Sequence, residues 1–336
     1  MKSNIIEFTE ILKKRHFTKS ILLWFKKNNR NLIWRKKRST YNTYISEIML
    51  QQTRVESVEK KFPEFIKRYK NFKSFKYSSE KELLRYWSGL GYYRRARNLW
   101  KAVKIINDKY GSKIPNDKEK LIKLPGVGKY TCASIRTIGF NLVDEPVDIN
   151  IYKIFTGLFG KVLSHKEIEF ILINIWPKNQ SRNFTEALMD ISVQIRNKNF
   201  PISKNFNLKK FVYGKYQEDF YIPKAKKIKK KQIFINFYVF RFKNQIAFLK
   251  KPNLNFFKGF DHLPNSFDTF SKVINGKNYS KKIKKMNYII TNHEFKIDVY
   301  EVLLKIKINE FKWKSLNNLD RIPLPTFYKK ILSSIS

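Results

Sequence analysis

The sequence predicts a mainly α-helical domain followed by a smaller α+β domain. Three observations lead to this prediction. Apolar residues recur three and four positions apart up to about residue 215. A lysine-rich segment without apolar periodicity follows at 221–231. Beyond it, apolar and polar residues alternate with the two-residue period of a strand.

The composition favours a partner of opposite charge. The 336 residues include 70 Lys and Arg against 27 Asp and Glu, a net charge of +43, and the 42% of hydrophobic residues indicates a globular chain. Such a charge repels itself unless the chain works beside a polyanion, and nucleic acid is the leading candidate. Because only 15 of the basic residues are arginine, A/T-rich coding is a second explanation for part of the charge.

Several classes of protein are excluded. The single cysteine, Cys132, excludes a disulfide scaffold and any metal site built from cysteines, and four scattered histidines argue against a histidine-built site. No apolar run reaches the roughly 18 residues of a membrane helix. The N-terminus is charged where a signal peptide is apolar. We therefore expect a cytoplasmic protein with no membrane partner.

The sharpest local pattern in the helical part runs from Leu124 to Thr131. Gly126 and Gly128 permit a tight turn between two helical patterns, and the turn's N–H groups begin the second helix, where partial positive charge favours an anion. One interpretation is a helix–hairpin–helix turn, including Val127, that holds a DNA phosphate. The other is an ordinary glycine turn between packed helices, and the turn alone does not decide between them.

Two carboxylates lie in apolar surroundings. Asp148 precedes apolar positions at helical spacing, so it is a helix N-cap, a carboxylate that stabilises a cation, or both. Glu47 lies among four large apolar residues. It is either the polar stripe of a helix or a half-buried acid whose pKa is raised by desolvation. One raised and one ionised carboxylate is typical of an acid paired with an electrostatic stabiliser.

The segment from Gly89 to Leu99 combines a glycine loop, two tyrosines and three arginines at a predicted helix start. It suits a loop that grips a nucleic-acid strand, although a solvated basic helix end has the same composition. After the basic segment, the alternation predicts strands at 233–240, 246–249, 289–290 and 295–306. Pro325 begins a short final helix.

Together and in this order, these residues resemble the helix–hairpin–helix DNA glycosylase superfamily, and within it the MutY-type adenine DNA glycosylases. The matching pieces are Trp34-Arg35, Ser46 to Thr53, Trp87 to Tyr93, Leu124 to Thr131, and Val147-Asp148 with Asn150. The resemblance implies a two-lobed helical glycosylase domain at 1–220, a basic linker at 221–231 and a Nudix-like lesion-recognition domain at 232–336.

That family removes adenine mispaired with 8-oxoguanine after flipping the base out of the duplex. By resemblance, Glu47 protonates the leaving adenine and activates water, and Asp148 stabilises the oxocarbenium ion. Tyr130 and Asn150 position these carboxylates. The residues that the resemblance assigns to substrate or DNA are Arg35, Gln52, Thr53, Leu90, Tyr92, Gly126, Val127, Gly128, Asn292 and His293.

Position 130 and the missing cluster cysteines refine the prediction. Endonuclease III-like bifunctional members carry a lysine at position 130, whose amine attacks the sugar, so Tyr130 predicts a monofunctional enzyme. The family's four cluster cysteines, counted without gaps, fall on Arg196, Ser203, Phe206 and Val212. None of these ligates iron as a thiolate. We therefore expect a cluster-less member with no cofactor, in which apolar packing replaces the iron–sulfur cluster.

The sequence thus predicts a monomeric glycosylase of base excision repair that excises adenine paired with 8-oxoguanine or guanine in double-stranded DNA. Two alternatives remain. One is a glycosylase of another mismatch specificity, such as thymine, against which the pairing of Glu47 with Tyr130 argues. The other is a non-catalytic DNA-binding remnant, against which the presence of both Glu47 and Asp148 argues.

Overall fold

The chain forms two compact units. The two units comprise Met1–Lys76 with Asn98–Ala225 (unit 1) and Tyr77–Arg97 with Lys226–Ser336 (unit 2). The computed structural model describes residues 2–196, 206–213, 230–251, 254, 260–267, 280–290, 292–322, 324–333 and 335. Because residues 221–229 lie outside the described residues, the division of the chain at a basic linker stays a prediction.

The prediction of a mainly helical first part is confirmed. The α-helices are α1 (Lys2–Lys14), α2 (Phe17–Asn28), α3 (Ile33–Lys36), α4 (Thr40–Leu50), α5 (Val55–Arg68), α6 (Glu80–Trp87), α7 (Arg94–Lys109), α8 (Lys118–Ile122), α9 (Lys129–Ser134), α10 (Ile149–Phe159), α11 (His165–Ile175), α12 (Ser181–Arg196) and α13 (Thr326–Leu332). Short 3₁₀ helices lie at Phe72–Tyr77, Leu208–Phe211 and Leu316–Arg321. Within the part of the chain that the structure describes, every helix is too short or too polar to cross a membrane.

Capping residues fix both ends of α10, the helix that begins at Asp148. Asp148 begins α10, since its Oδ1 accepts hydrogen bonds from the N–H groups of Asn150 and Ile151 at 2.9 and 2.8 Å. Gly160 ends the same helix with a φ of 81°, a left-handed conformation that glycine adopts without steric cost. The N-cap prediction for Asp148 is therefore confirmed.

The helix after the glycine turn changes its winding. The sequence predicts one helix over 129–140, whereas α9 ends at Ser134 and continues as a π-helical turn over Ile135–Gly139. Turns of this kind insert one extra residue and often occur at functional sites. The π turn packs against α4, so the local change in winding faces the helix that carries Glu47.

An aromatic core holds α1, α2 and α10 to the segment at 206–213. Trp24 and Phe206 lie 5.9 Å apart, Phe17 and Phe211 5.0 Å apart, measured between ring centroids. Phe206 and Val212, two of the positions on which the family's cluster cysteines fall, are 5% and 8% exposed within this core. Ser203 and the side chain of Arg196 lie outside the described residues.

The residues present do not fit a four-thiolate iron–sulfur cluster. The chain has one cysteine, and Cys132 is buried in α9. Among the residues that the structure describes, no group of three or more His, Cys, Asp and Glu could hold a metal ion. The complete lack of a cofactor stays a prediction.

Unit 2 contains a mixed sheet in the order β3-β4-β1-β2-β5. The strands are β1 (Lys231–Phe242), β2 (Gln245–Leu249), β3 (Ser280–Ile290), β4 (His293–Leu303) and β5 (Phe311–Ser315). The pairing of β1 with β4 is parallel and the other pairings are antiparallel. With α13 this confirms the predicted α+β part. β5 and most of β3 were not predicted from the sequence, because their lysines obscure the alternation.

Phe206→Ala is expected to lower the free energy of unfolding by about 3–5 kcal/mol, the usual range for a buried aromatic ring. Urea unfolding followed by tryptophan fluorescence measures the change. The matched control is Phe170→Ala on α11, since Phe170 is 43% exposed, and we expect a change of about 0.5 kcal/mol or less there. Equal losses in the two variants would contradict the packing role of Phe206.

Candidate active site

Glu47 lies on α4 among side chains that fix this helix in the core. Ile45, Ile48 and Met49 are 0%, 1% and 0% exposed, while Glu47 itself is half-buried. These three side chains form one buried face that anchors α4 in the core, so the carboxyl has a defined position. The carboxyl group is therefore held by packing and not by a loop.

The surroundings of Glu47 hold it near the midpoint of titration at neutral pH. Burial raises its pKa to about 7, and the Ser134 hydroxyl opposes this rise. The negative charges of Asp148 and Glu186 raise the pKa further, and the positive charge of Arg35 lowers it. Glu47 can therefore carry a proton at neutral pH and also exist there as the carboxylate.

Asp148 has a different environment from Glu47. Its Oδ1 caps α10, and its Oδ2 accepts a hydrogen bond from Asn150 Nδ2 at 2.5 Å. Burial raises its pKa, and the hydrogen bonds from Ile151 and Asn150 offset only part of this rise. The positive end of a helix dipole also favours the charged form. Both carboxyls of the site are thus desolvated, but the charged form of Asp148 is supported by hydrogen bonds at a helix N-terminus.

The side chain of Tyr130, on α9, lies within electrostatic reach of both carboxylates. Burial raises its pKa well above the usual value of 10, and the charges of Glu47 and Asp148 add to the rise, so the phenol stays neutral. The neighbouring Lys129 is 63% exposed, and its Nζ pairs with Glu169 Oε1 at 2.5 Å. This ion pair holds the Lys129 amine at the surface of the protein.

The structure places Arg35 in a buried ion-pair network. Its Nη1 and Nη2 lie 2.8 and 3.0 Å from the Asp190 oxygens, and its Nε lies 3.5 Å from Glu186 Oε1. Arg30 and Arg38 also bind these carboxylates, at 2.6 and 2.9 Å. The predicted contact of Arg35 with substrate stays a prediction. Sequence reasoning missed the network, although two carboxylates four residues apart on an apolar helix were a usable signal.

The glycine turn forms between α8 and α9 and is tied to α4. Gly126 has a φ of 85°, and a Cβ there would lie 2.9 Å from Asn98 Cβ. Gln51, the C-cap of α4, donates from Nε2 to Gly126 O and to Thr131 Oγ1, both at 3.0 Å. Gly128 is the exposed N-cap of α9. The predicted tight glycine turn between two helices is present, with Val127 buried beneath it, and its role in holding a phosphate stays a prediction.

The remaining predicted residues lie in both units. In unit 1, Gln52 is exposed with a φ of 55°, and Thr53 is half-buried. In unit 2, Leu90 is 5% exposed, and Tyr92 is 44% exposed with a φ of 43°. The pair at 292–293 forms the end of the β3–β4 turn and the start of β4, with Asn292 O accepting from Lys231 N at 2.8 Å. The roles of these residues stay predictions.

Known proteins match the chain over most of its length. It is 33% identical over 342 residues to an adenine DNA glycosylase of Buchnera aphidicola subsp. Baizongia pistaciae, covering 95% of this chain and 96% of the relative. The chain belongs to the adenine DNA glycosylase family. An adenine DNA glycosylase of Buchnera aphidicola subsp. Schizaphis graminum is 32% identical, covering 94% and 97%.

Residues 45–178 match the family described as HhH-GPD superfamily base excision DNA repair protein. The solved structure of a thermostable thymine-DNA glycosylase aligns with a TM-score of 0.54 and 28% identity, covering 59% of this chain and 95% of that one. The segment 45–178 that matches the family contains Glu47, the glycine turn and Asp148. The protein is therefore an N-glycosylase of base excision repair, as the sequence predicted.

Gly126→Ala is expected to destabilise the fold more than Gly111→Ala. Both glycines have positive φ, where alanine costs about 1–2 kcal/mol, but a Cβ at Gly111 would meet nothing within 4 Å. The added close approach to Asn98 makes Gly126 the costlier site. Urea unfolding of the two variants measures the difference, and equal losses would show that the turn relaxes away from Asn98.

Proposed function

We propose that this protein is a monofunctional glycosylase that excises adenine opposite 8-oxoguanine or guanine from duplex DNA. One observation carries the proposal. Glu47, with a pKa of about 7, lies within electrostatic reach of the helix-capping Asp148. Such a pair suits an acid and an electrostatic stabiliser, and the relatives that match the chain end to end are named for adenine.

Glu47 is the group that makes adenine a leaving group. Adenine departs poorly until one of its ring nitrogens is protonated, and a carboxyl with a pKa of about 7 holds that proton at neutral pH. The proton leaves with the base as the N-glycosyl bond breaks. The carboxylate that remains accepts a proton from the water whose oxygen adds to the sugar. Glu47 thus serves as acid and then as base.

Asp148 stabilises the positive charge that appears on the sugar. Bond cleavage leaves an oxocarbenium ion, and a fixed carboxylate lowers the energy of this cation. The hydrogen bonds from Asn150 and from the first turn of α10 hold Asp148 in place before substrate binds. Asn150 therefore positions Asp148, and the neutral Tyr130 phenol positions Glu47.

Duplex DNA is the proposed partner, bound by a monomer. The net charge of +43 favours phosphate binding. The glycine turn presents backbone N–H groups at the N-terminus of α9, where a phosphate can bind. Gln52, Thr53, Leu90 and Tyr92 contact DNA in this proposal. The pair at 292–293 reads the opposing 8-oxoguanine.

Excision from a panel of duplexes tests the proposal. The duplexes carry A:8-oxoguanine, A:G, T:G or C:G, and alkali cleaves the strand wherever a base has been removed. Strand breaks at adenine in the first two duplexes support the proposal. Release of thymine from T:G would instead support a thymine-specific glycosylase. The solved thymine-DNA glycosylase shows that a similar fold occurs in an enzyme named for that base. Binding without excision on every duplex would show a non-catalytic remnant.

Glu47→Gln is expected to slow adenine excision by at least about 10²–10⁴-fold, the usual value of general-acid assistance. The amide retains shape and hydrogen-bonding reach but has no carboxyl proton, so affinity for the A:8-oxoguanine duplex should change only a few-fold. Single-turnover excision and a gel-shift titration measure the two quantities. Glu10→Gln on the exposed face of α1 is the control and should match the parent. A parental rate in Glu47→Gln would show that another group is the acid.

We expect no lyase activity. A covalent imine with the sugar needs an amine at the site, whereas position 130 holds a neutral phenol and Lys129 is paired with Glu169. Borohydride should therefore trap no enzyme–DNA adduct during excision, while the Tyr130→Lys variant supplies a positive control for trapping. Efficient trapping by the parent protein would mean that another lysine reaches the sugar.

A further inference from the structure

A buried serine faces the proposed acid. Ser134 is the last residue of α9 and is 0% exposed. Its Oγ has no hydrogen-bond partner among the described residues, yet its hydroxyl lowers the pKa of both the Glu47 carboxyl and the Tyr130 phenol. A buried hydroxyl without a well-formed hydrogen bond is unfavourable, so its position needs an explanation.

The winding of the chain directs this residue toward α4. Ser134 stands where α9 gives way to the π turn over Ile135–Gly139, and that turn packs against the helix of Glu47. The Ser134 carbonyl accepts a hydrogen bond from Thr137 Oγ1 at 3.3 Å. The backbone at the junction is thus tied to the π turn that follows it.

We propose that Ser134 is a positioning residue that holds the Glu47 carboxyl against Tyr130 and stabilises the carboxylate once its proton has left with the base. The proposal rests on the proposed function of Glu47 as the acid. Catalytic hydrogen bonds are often long in the absence of substrate and tighten in the complex. The Ser134 hydroxyl, which has no partner among the described residues, is available to form this hydrogen bond in the complex.

The other groups that face Glu47 are ionisable and come from different elements. Tyr130 approaches from α9, Asp148 from the start of α10, Glu186 from α12 and Arg35 from α3. Arg35 is itself held by Asp190 and Glu186. None of these groups is removed by a change at Ser134, so Ser134→Ala isolates the effect of one neutral hydroxyl.

The pH profile of excision tests the proposal. In the parent protein, single-turnover excision should fall above about pH 7 as Glu47 loses its proton. The Ser134 hydroxyl favours the charged carboxylate, so its removal raises the pKa of Glu47. The falling limb is the part of the pH profile in which the excision rate declines. In Ser134→Ala this limb should move to higher pH by about one unit, the size of one hydrogen bond to a charged group.

Two further variants separate positioning from packing. Thr156→Val removes another fully buried hydroxyl that lacks a standard partner among the described residues, on the apolar face of α10, and should leave the limb unmoved. Ser134→Cys retains the volume with a weaker donor and should move the limb upward by less. An unshifted limb in Ser134→Ala, or a rate reduced equally at every pH, would overturn the proposal.

A titration that needs no turnover distinguishes this proposal from the function itself. The side-chain carboxyl of Glu47 is followed by carbon-13 NMR in selectively labelled protein, with Glu47→Gln used for assignment. A higher pKa in Ser134→Ala supports the positioning contact even when no duplex is processed. An unchanged pKa in a protein that excises adenine would refute the contact and leave the proposed function intact.

Discussion

The burial of one carboxyl, that of Glu47, is the constraint around which the polar residues of unit 1 are arranged. Desolvation disfavours the charged form and raises the pKa of Glu47. Asp148 and Glu186 raise this pKa further, while the Ser134 hydroxyl and Arg35 lower it. The balance leaves a carboxyl that exchanges its proton near neutral pH, which is the property required of a group that acts first as an acid and then as a base.

The ion network on α12 follows from the same constraint. Asp190 and Glu186 have side chains 1% and 4% exposed, and arginines from α3 and its flanking segments neutralise them. An unpaired buried charge costs several kcal/mol, so neither carboxylate could be buried alone. Arg35 serves both parts, since it binds these two carboxylates and also lowers the pKa of Glu47. Through Arg35, the network thereby links the position of α3 to the pKa of Glu47.

Local signals in the sequence predicted much of the fold and site. The helical periodicity, the capping by Asp148 and the glycine turn each depend on residues within a few positions of one another. The π turn, the partners of Arg35 and the approach of Ser134 to Glu47 depend on packing between distant segments, so periodicity could not reveal them. Glu186 lies 139 positions from Glu47 in the sequence. The strand β5 was missed for another reason, since its alternate lysines make it look like a solvated segment.

The aromatic core at 206–213 contains two positions where the family carries cluster cysteines, and it packs against the helix that begins at Asp148. Metal ligands supply folding free energy by tying distant segments together, whereas here burial of rings and aliphatic groups does so. Tyr213 stacks on Phe159 with centroids 5.1 Å apart, and its N–H donates to Leu158 O at 2.8 Å. Both partners belong to the last turn of α10, whose first turn holds Asp148. Packing at one end of this 11-residue helix therefore helps to fix the Asp148 carboxylate at the other end.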